Sequence, residues 1–153
     1  MTMAIASALH IIAAVVWVGG MFFAVLVLRP SVVAFEPADR LSLWGRVFGR
    51  FFPWVWASIV LLLASGYWMI FAGKGGFAEL PLYLNIMQGI GWLMVLVYLH
   101  LWFAPYARFK DAIARAEWPV AAANLNKIRY AVTTNIGLGL LNAIVGASGR
   151  YWS

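Results

Sequence analysis

The sequence predicts an all-α membrane protein, a bundle of four transmembrane helices with short interfacial or cytoplasmic helices in loops one and three. Three observations predict it. The 153 residues are 65% hydrophobic and only 10% charged, where soluble domains carry about 25% charged residues. A soluble core of this size would not hide so much apolar surface, so lipid must be the solvent for much of the chain. Four apolar runs, about 4–28, 52–72, 82–104 and 131–148, are each long enough to cross a bilayer. They must be helices, because an open strand would leave backbone groups unpaired in lipid. Finally, nine of the basic residues lie in loops one and three, against Lys74 in loop two and Arg150 in the tail. That bias puts loops one and three in the cytoplasm and both termini outside. A single transmembrane bundle domain over residues 1–153 is expected.

Composition excludes several classes. The formal charge of +6 sits beside the membrane segments, the pattern of topology signals and of contact with anionic lipids, with no nucleic-acid motif to match. The absence of cysteine excludes disulfides, thiolate metal sites, iron–sulfur clusters and c-type haem attachment. No Lys or Arg precedes the first apolar run and no small-residue cleavage site follows it, so it reads as a retained helix.

In chain order, the first span carries His10, Trp17, Gly19-Gly20 and Met21, none of which a lipid-facing anchor needs. His10, Trp17 and Met21 follow i, i+7, i+11 and share a face. In loop one, Leu41, Trp44, Phe48 and Phe51 recur at helical spacing opposite Arg40, Arg46 and Arg50. A short interfacial helix is expected there, with Pro37 in its first turn. The second span contains Met69. Loop two, Gly73-Lys74-Gly75-Gly76-Phe77, lacks phosphate-loop spacing. The third span holds Met87, Met94 and His100. Loop three holds Asp111 and Arg115 at i,i+4, a break at Glu117-Trp118-Pro119, then Val120–Arg129, which predicts a short helical hairpin. On the fourth span Asn135, Gly139, Asn142, Gly146 and Gly149 form one stripe. It reads first as close helix packing with interhelical hydrogen bonds, as do Gly19-Gly20 and Gly89-x-Gly91. Tyr67, Trp68, Tyr83, Trp54, Trp56, Trp102, Trp118, Tyr151 and Trp152 lie near segment ends and read mostly as interface anchors.

Chemistry within the spans is restricted. The acids Glu36, Asp39, Glu79, Asp111 and Glu117 all lie outside them, so neither histidine has an obvious acidic partner and hydrolase chemistry is poorly supported. What remains is His10, Met21, Met69, Met87, Met94, His100, Asn135 and Asn142. Imidazole and thioether ligate copper and haem iron. The two histidines should be separated by about 20 Å along the bilayer normal, so within one chain they cannot hold one haem between them. An outer metal site would use His10 with Met69 or Met87. An inner one would use His100 with Met21 or neutral polar groups. Were the ligand haem b, the lining would be drawn from His10, Trp17, His100, Asn135 and Asn142. Each methionine reads first as packing, and a membrane histidine can simply hydrogen-bond a neighbouring helix. A symmetric homodimer, which could bring histidines of two chains together, is compatible with all of this.

Leu9-His10-x6-Trp17-Val18-Gly19-Gly20-Met21-Phe22, then Arg29-Pro30, resembles the opening of the copper resistance protein D (CopD) family. Arg50-Phe51-Phe52-x-Trp54-Val55-Trp56, Ser65-Gly66-Tyr67, Met87-Gln88-Gly89-x-Gly91-Trp92, His100 and Gly149-Arg150-Tyr151-Trp152 are similar to short bacterial members of it. The resemblance implies copper uptake or tolerance at the bacterial inner membrane, with Cu(I) as the ion and a periplasmic copper carrier or redox partner nearby. The first span is also similar to the HemJ-type protoporphyrinogen oxidases, small four-helix proteins whose first-helix histidine, matched here by His10, goes with bound haem b. Their third helix uses a lysine near a Trp-containing start, whereas Trp92 here is followed by Leu93, Met94, Val95 and Leu96. Three readings therefore stand: a copper-handling membrane protein, a haem b protein for electron transfer or tetrapyrrole oxidation, and a cofactor-free accessory subunit. The residues favour a non-enzyme; the enzyme alternative is a haem-dependent membrane oxidoreductase.

Overall fold

The computed structural model describes residues 2–78 and 80–152, so Glu79 lies outside the described residues. Four helices are long and apolar enough to cross a membrane: α1 Met3–Ser31, α2 Pro37–Lys74, α3 Leu82–Ala114 and α4 Trp118–Tyr151, the last ending in a 3-10 turn. No strand occurs among the described residues. The protein is an all-α, multi-pass membrane protein.

Helix α1 starts at Thr2, whose hydroxyl accepts from the Ile5 N–H at 3.4 Å. It contains two wide π turns, Val15–Gly19 and Ala24–Leu28. The second precedes Pro30, which has no N–H to give to the turn before it. The first has no proline, and it carries Trp17 into the core.

Loop one is much shorter than its composition suggested, and its expected interfacial helix is the first half of α2. The helix runs from Pro37 to Lys74 without a break, although Pro53 lies inside it. The reason is a single buried stripe, Leu41, Trp44, Phe48, Phe52, Val55 and Ile59. Its three- and four-residue steps cross Pro53 without losing phase. One missing backbone hydrogen bond does not outweigh that continuous face. Gly75, at φ 72°, ends the helix in the left-handed region.

Loop three does form a helical hairpin, built from extensions of the two spans. Helix α3 continues through a π turn at Trp102–Tyr106, which contains Pro105. The chain reverses around Ala116, at φ 55°, and α4 begins at Trp118.

The antiparallel register can be read from contacts. Along α1 and α2, Met3 meets Gly73, His10 meets Gly66 and Phe51 covers Gly20. Along α3 and α4, Tyr83 meets Gly149, Met87 meets Gly146 and Met94 meets Gly139. Val18 also reaches Gly139, which ties α1 to α4 at mid-bundle. The fourth-span stripe is therefore a packing line. Gly89, Gly91 and Gly19 are not packing points, since nothing lies within 4 Å of where their Cβ would stand.

The core is aromatic toward the loop-one and loop-three end. Phe48 and Phe52 stack at 5.0 Å, and the Tyr106 ring meets Phe52 edge-on at 4.7 Å. Trp56 and Trp102, expected as interface anchors, join this cluster: Trp56 packs on Tyr98 at 5.4 Å and on Trp102 at 5.8 Å. Trp54 and Tyr151 remain exposed. Both kinds of position lie near segment ends, and only the helix face separates them.

Candidate functional site

His10 lies half-buried on α1 where that helix meets α2. Its Nδ1 is 3.0 Å from the Ser65 hydroxyl oxygen. Ser65 is buried, and its hydroxyl donates back to the Leu61 carbonyl one turn earlier, the usual bond of a serine inside a helix. A hydroxyl has one proton to give. With that proton committed to Leu61, the Ser65 oxygen must accept, and His10 Nδ1–H must be the donor. The Leu62 carbonyl, an acceptor only, lies beside the same imidazole and 3.4 Å from the Ser65 oxygen. In the neutral ring this arrangement places the proton on Nδ1 and leaves the lone pair on Nε2. This is how metal-binding histidines are held, with the second ring nitrogen bonded to the protein.

Gly66 completes the seat. A Cβ there would stand 3.3 Å from His10 Cε1, so the ring uses space that a side chain would take. Met69 follows Ser65 by one turn and shares its face of α2. It is half-buried. The register of α1 and α2 places it about one turn outward of His10.

The other predicted residues fall elsewhere. Met87 packs its thioether on Gly146 of α4, in the α3–α4 pair. Met21 is in the core, whereas His100 is exposed on the outside of α3, so no described contact joins the two. Met94 is buried, with its methyl at Gly139. Val18 and Met94 meet at Gly139. From that common level, helix rise separates the two histidines by about 20 Å.

Trp17 is 2% exposed and meets Tyr98 edge-on at 6.2 Å. Tyr98 in turn donates to the Phe52 carbonyl at 3.2 Å. Asn135 is 1% exposed and donates through Nδ2 to the Met94 carbonyl at 3.1 Å, an α3–α4 bond. The Trp17 indole N–H and the side-chain oxygens of Asn135 and Asn142 are buried without a protein partner. Each is costly to leave so in a membrane interior.

Among the described residues no three histidines or acids cluster as a metal cage. The soft ligand types on the α1–α2 seam are instead the His10 imidazole and the thioethers of Met69 and, farther toward the N-terminus, Met3. Sequence reasoning named His10 and Met69 among its candidates, and quoted Ser65 and Gly66 within the family resemblance without giving them a role. The signal was present: a hydroxyl next to a glycine in mid-span.

Residues 45–148 of the chain match the family model described as Copper resistance protein D. The matched segment contains Ser65, Gly66, Met69 and the whole α3–α4 pair, and it begins after the helix that carries His10. No curated protein and no solved structure matches the chain.

Proposed function

This chain belongs to the copper resistance protein D family, and from that premise we propose that it binds or moves copper through a membrane-embedded site centred on His10 Nε2. The ion is cargo, taken as Cu(I). The observation that carries the reading is the Ser65 hydrogen bond. It holds the imidazole in the tautomer whose outer nitrogen can ligate. Met69 supplies the neighbouring thioether, a ligand type that selects Cu(I).

The roles divide as follows. His10 Nε2 binds the ion. Ser65 orients the ring and fixes its proton. Gly66 leaves room for it. The unpartnered Trp17, Asn135 and Asn142 groups lie farther along the bundle and offer polar stations in an otherwise apolar interior. The bias of nine basic residues against two supports an inner-membrane orientation with both termini in the periplasm. The His10 site would then face a periplasmic copper carrier.

The test is Cu(I) binding by detergent-purified protein under reducing conditions, against a competing chelator. Wild type binds, and His10→Ala loses binding by tenfold or more. Equal binding by the two would remove the proposal. An absorption spectrum of the same preparation separates the haem b reading, which requires a Soret band.

A further inference from the structure

The end of the bundle that carries loops one and three holds a cavity of about 500 Å³, a size that takes small ligands. Three arginines line it: Arg29 near the end of α1, Arg40 in the first turn of α2, and Arg129 on α4. Their described hydrogen-bond partners are neutral. Arg40 donates to the Val33 carbonyl at 3.3 Å, and Arg129 donates to Asn126 Oδ1 at 2.9 Å. Arg29 and Arg129 are close enough to repel one another. An anion seated among them would turn that repulsion into attraction.

Two long helices open on the same cavity by their N-termini, α2 at Pro37 and α4 at Trp118-Pro119. Each brings the positive end of a helix dipole, although the lining residues at these starts offer no free N–H, since Pro37 and Pro119 have none and the Trp118 N–H is bonded to the Ala116 carbonyl. Glu36 and Glu117, which precede these helices, and Asp39 in the first turn of α2 are exposed and stand outside the lining.

We infer that this cavity is a binding site for an anionic phospholipid, with the phosphate held by Arg29, Arg40 and Arg129. The walls argue for a lipid over a free phosphate, because Leu41, Trp44 and Leu125 are apolar. A narrower crevice shares Arg29, Trp44 and Arg129 with the cavity and continues past Ala24, Phe48 and Val132. It runs between α1, α2 and α4 toward the membrane interior but, at about 20 Å³, has room for little more than a water, so the acyl chains would lie against the apolar wall of the larger cavity. The three arginines and the apolar wall beside them together match a molecule with a phosphate at one end and a hydrocarbon chain at the other. This site is distinct from the His10 seam and does not depend on the copper reading.

The test uses the full chain in detergent, titrated with phosphatidic acid and with phosphatidylcholine of the same acyl chains. Bound lipid is counted by native mass spectrometry. Phosphatidic acid is retained and phosphatidylcholine is not. The Arg29→Gln/Arg129→Gln variant binds phosphatidic acid about tenfold more weakly, Lys74→Gln at the opposite end binds as wild type does, and inorganic phosphate does not displace the lipid. Equal retention of the two lipids, unchanged affinity in the double variant, an equal loss in Lys74→Gln, or displacement by inorganic phosphate would each overturn the site. Where the double variant lacks the helical circular dichroism of wild type, Arg40→Gln takes its place. A loss of about threefold is then expected, and unchanged affinity overturns the site.

Discussion

A serine inside a helix gives its proton to the carbonyl one turn back, and the consequence here reaches another helix. With its proton on Leu61, Ser65 accepts from His10 Nδ1, which in the neutral ring leaves Nε2 as the unprotonated nitrogen. The variant Ser65→Ala keeps the ligand and removes its orientation. It should weaken Cu(I) binding by about 10- to 100-fold, the usual cost of losing a metal ligand's supporting hydrogen bond, and a chelator competition measures it. Gly66→Leu should weaken binding further, because a Cβ there already presses on the ring at 3.3 Å from Cε1 and the longer side chain would displace it. His10 was legible as a candidate because an ionisable group within an apolar span is rare. Its partner was not, since Ser65 lies 55 residues away in sequence and nothing in a local pattern pairs the two. For the same reason His100 stood beside His10 as the candidate for a separate inner site. Only the helix face, seen in three dimensions, separates an exposed imidazole from one seated on a seam.

At the scale of elements, the four spans were readable because bilayer thickness and backbone hydrogen bonding leave few options. The ends of the helices were not. Composition marks where lipid begins, but α2 and α4 continue well beyond it, carried by the stripe from Leu41 to Ile59 and by the loop-three turn at Ala116. The α3–α4 seam supplies two checks. Asn135→Ala removes the bond to the Met94 carbonyl and should cost about 0.6–2 kcal/mol. Gly139→Leu drives a side chain into Val18 and Met94 and should cost about 1–3 kcal/mol. Both are read as shifts of the unfolding midpoint in detergent or denaturant. If Gly139→Leu were as stable as wild type, α1 and α4 would not meet there.

For the whole molecule, the two helix pairs divide the work. Helices α1 and α2 form the seam with the imidazole, while α3 and α4 close the bundle through their small-residue line. The basic loops gather at one end, where residues from loop one and from the start of α4 line a common cavity. Because the chain has no cysteine, single-cysteine labelling can map its orientation cleanly. With both termini in the periplasm, Lys74→Cys is labelled by an impermeant reagent in intact cells and Arg46→Cys only after lysis; the reverse pattern would invert the proposed topology. The central claim is that copper meets the protein at His10 Nε2. X-ray absorption spectroscopy of the Cu(I)-loaded protein tests it most directly. Wild type should show imidazole scattering together with a sulfur shell, His10→Ala should lose the imidazole contribution, and Met69→Leu should lose the sulfur. An unchanged imidazole signal in His10→Ala would contradict the account.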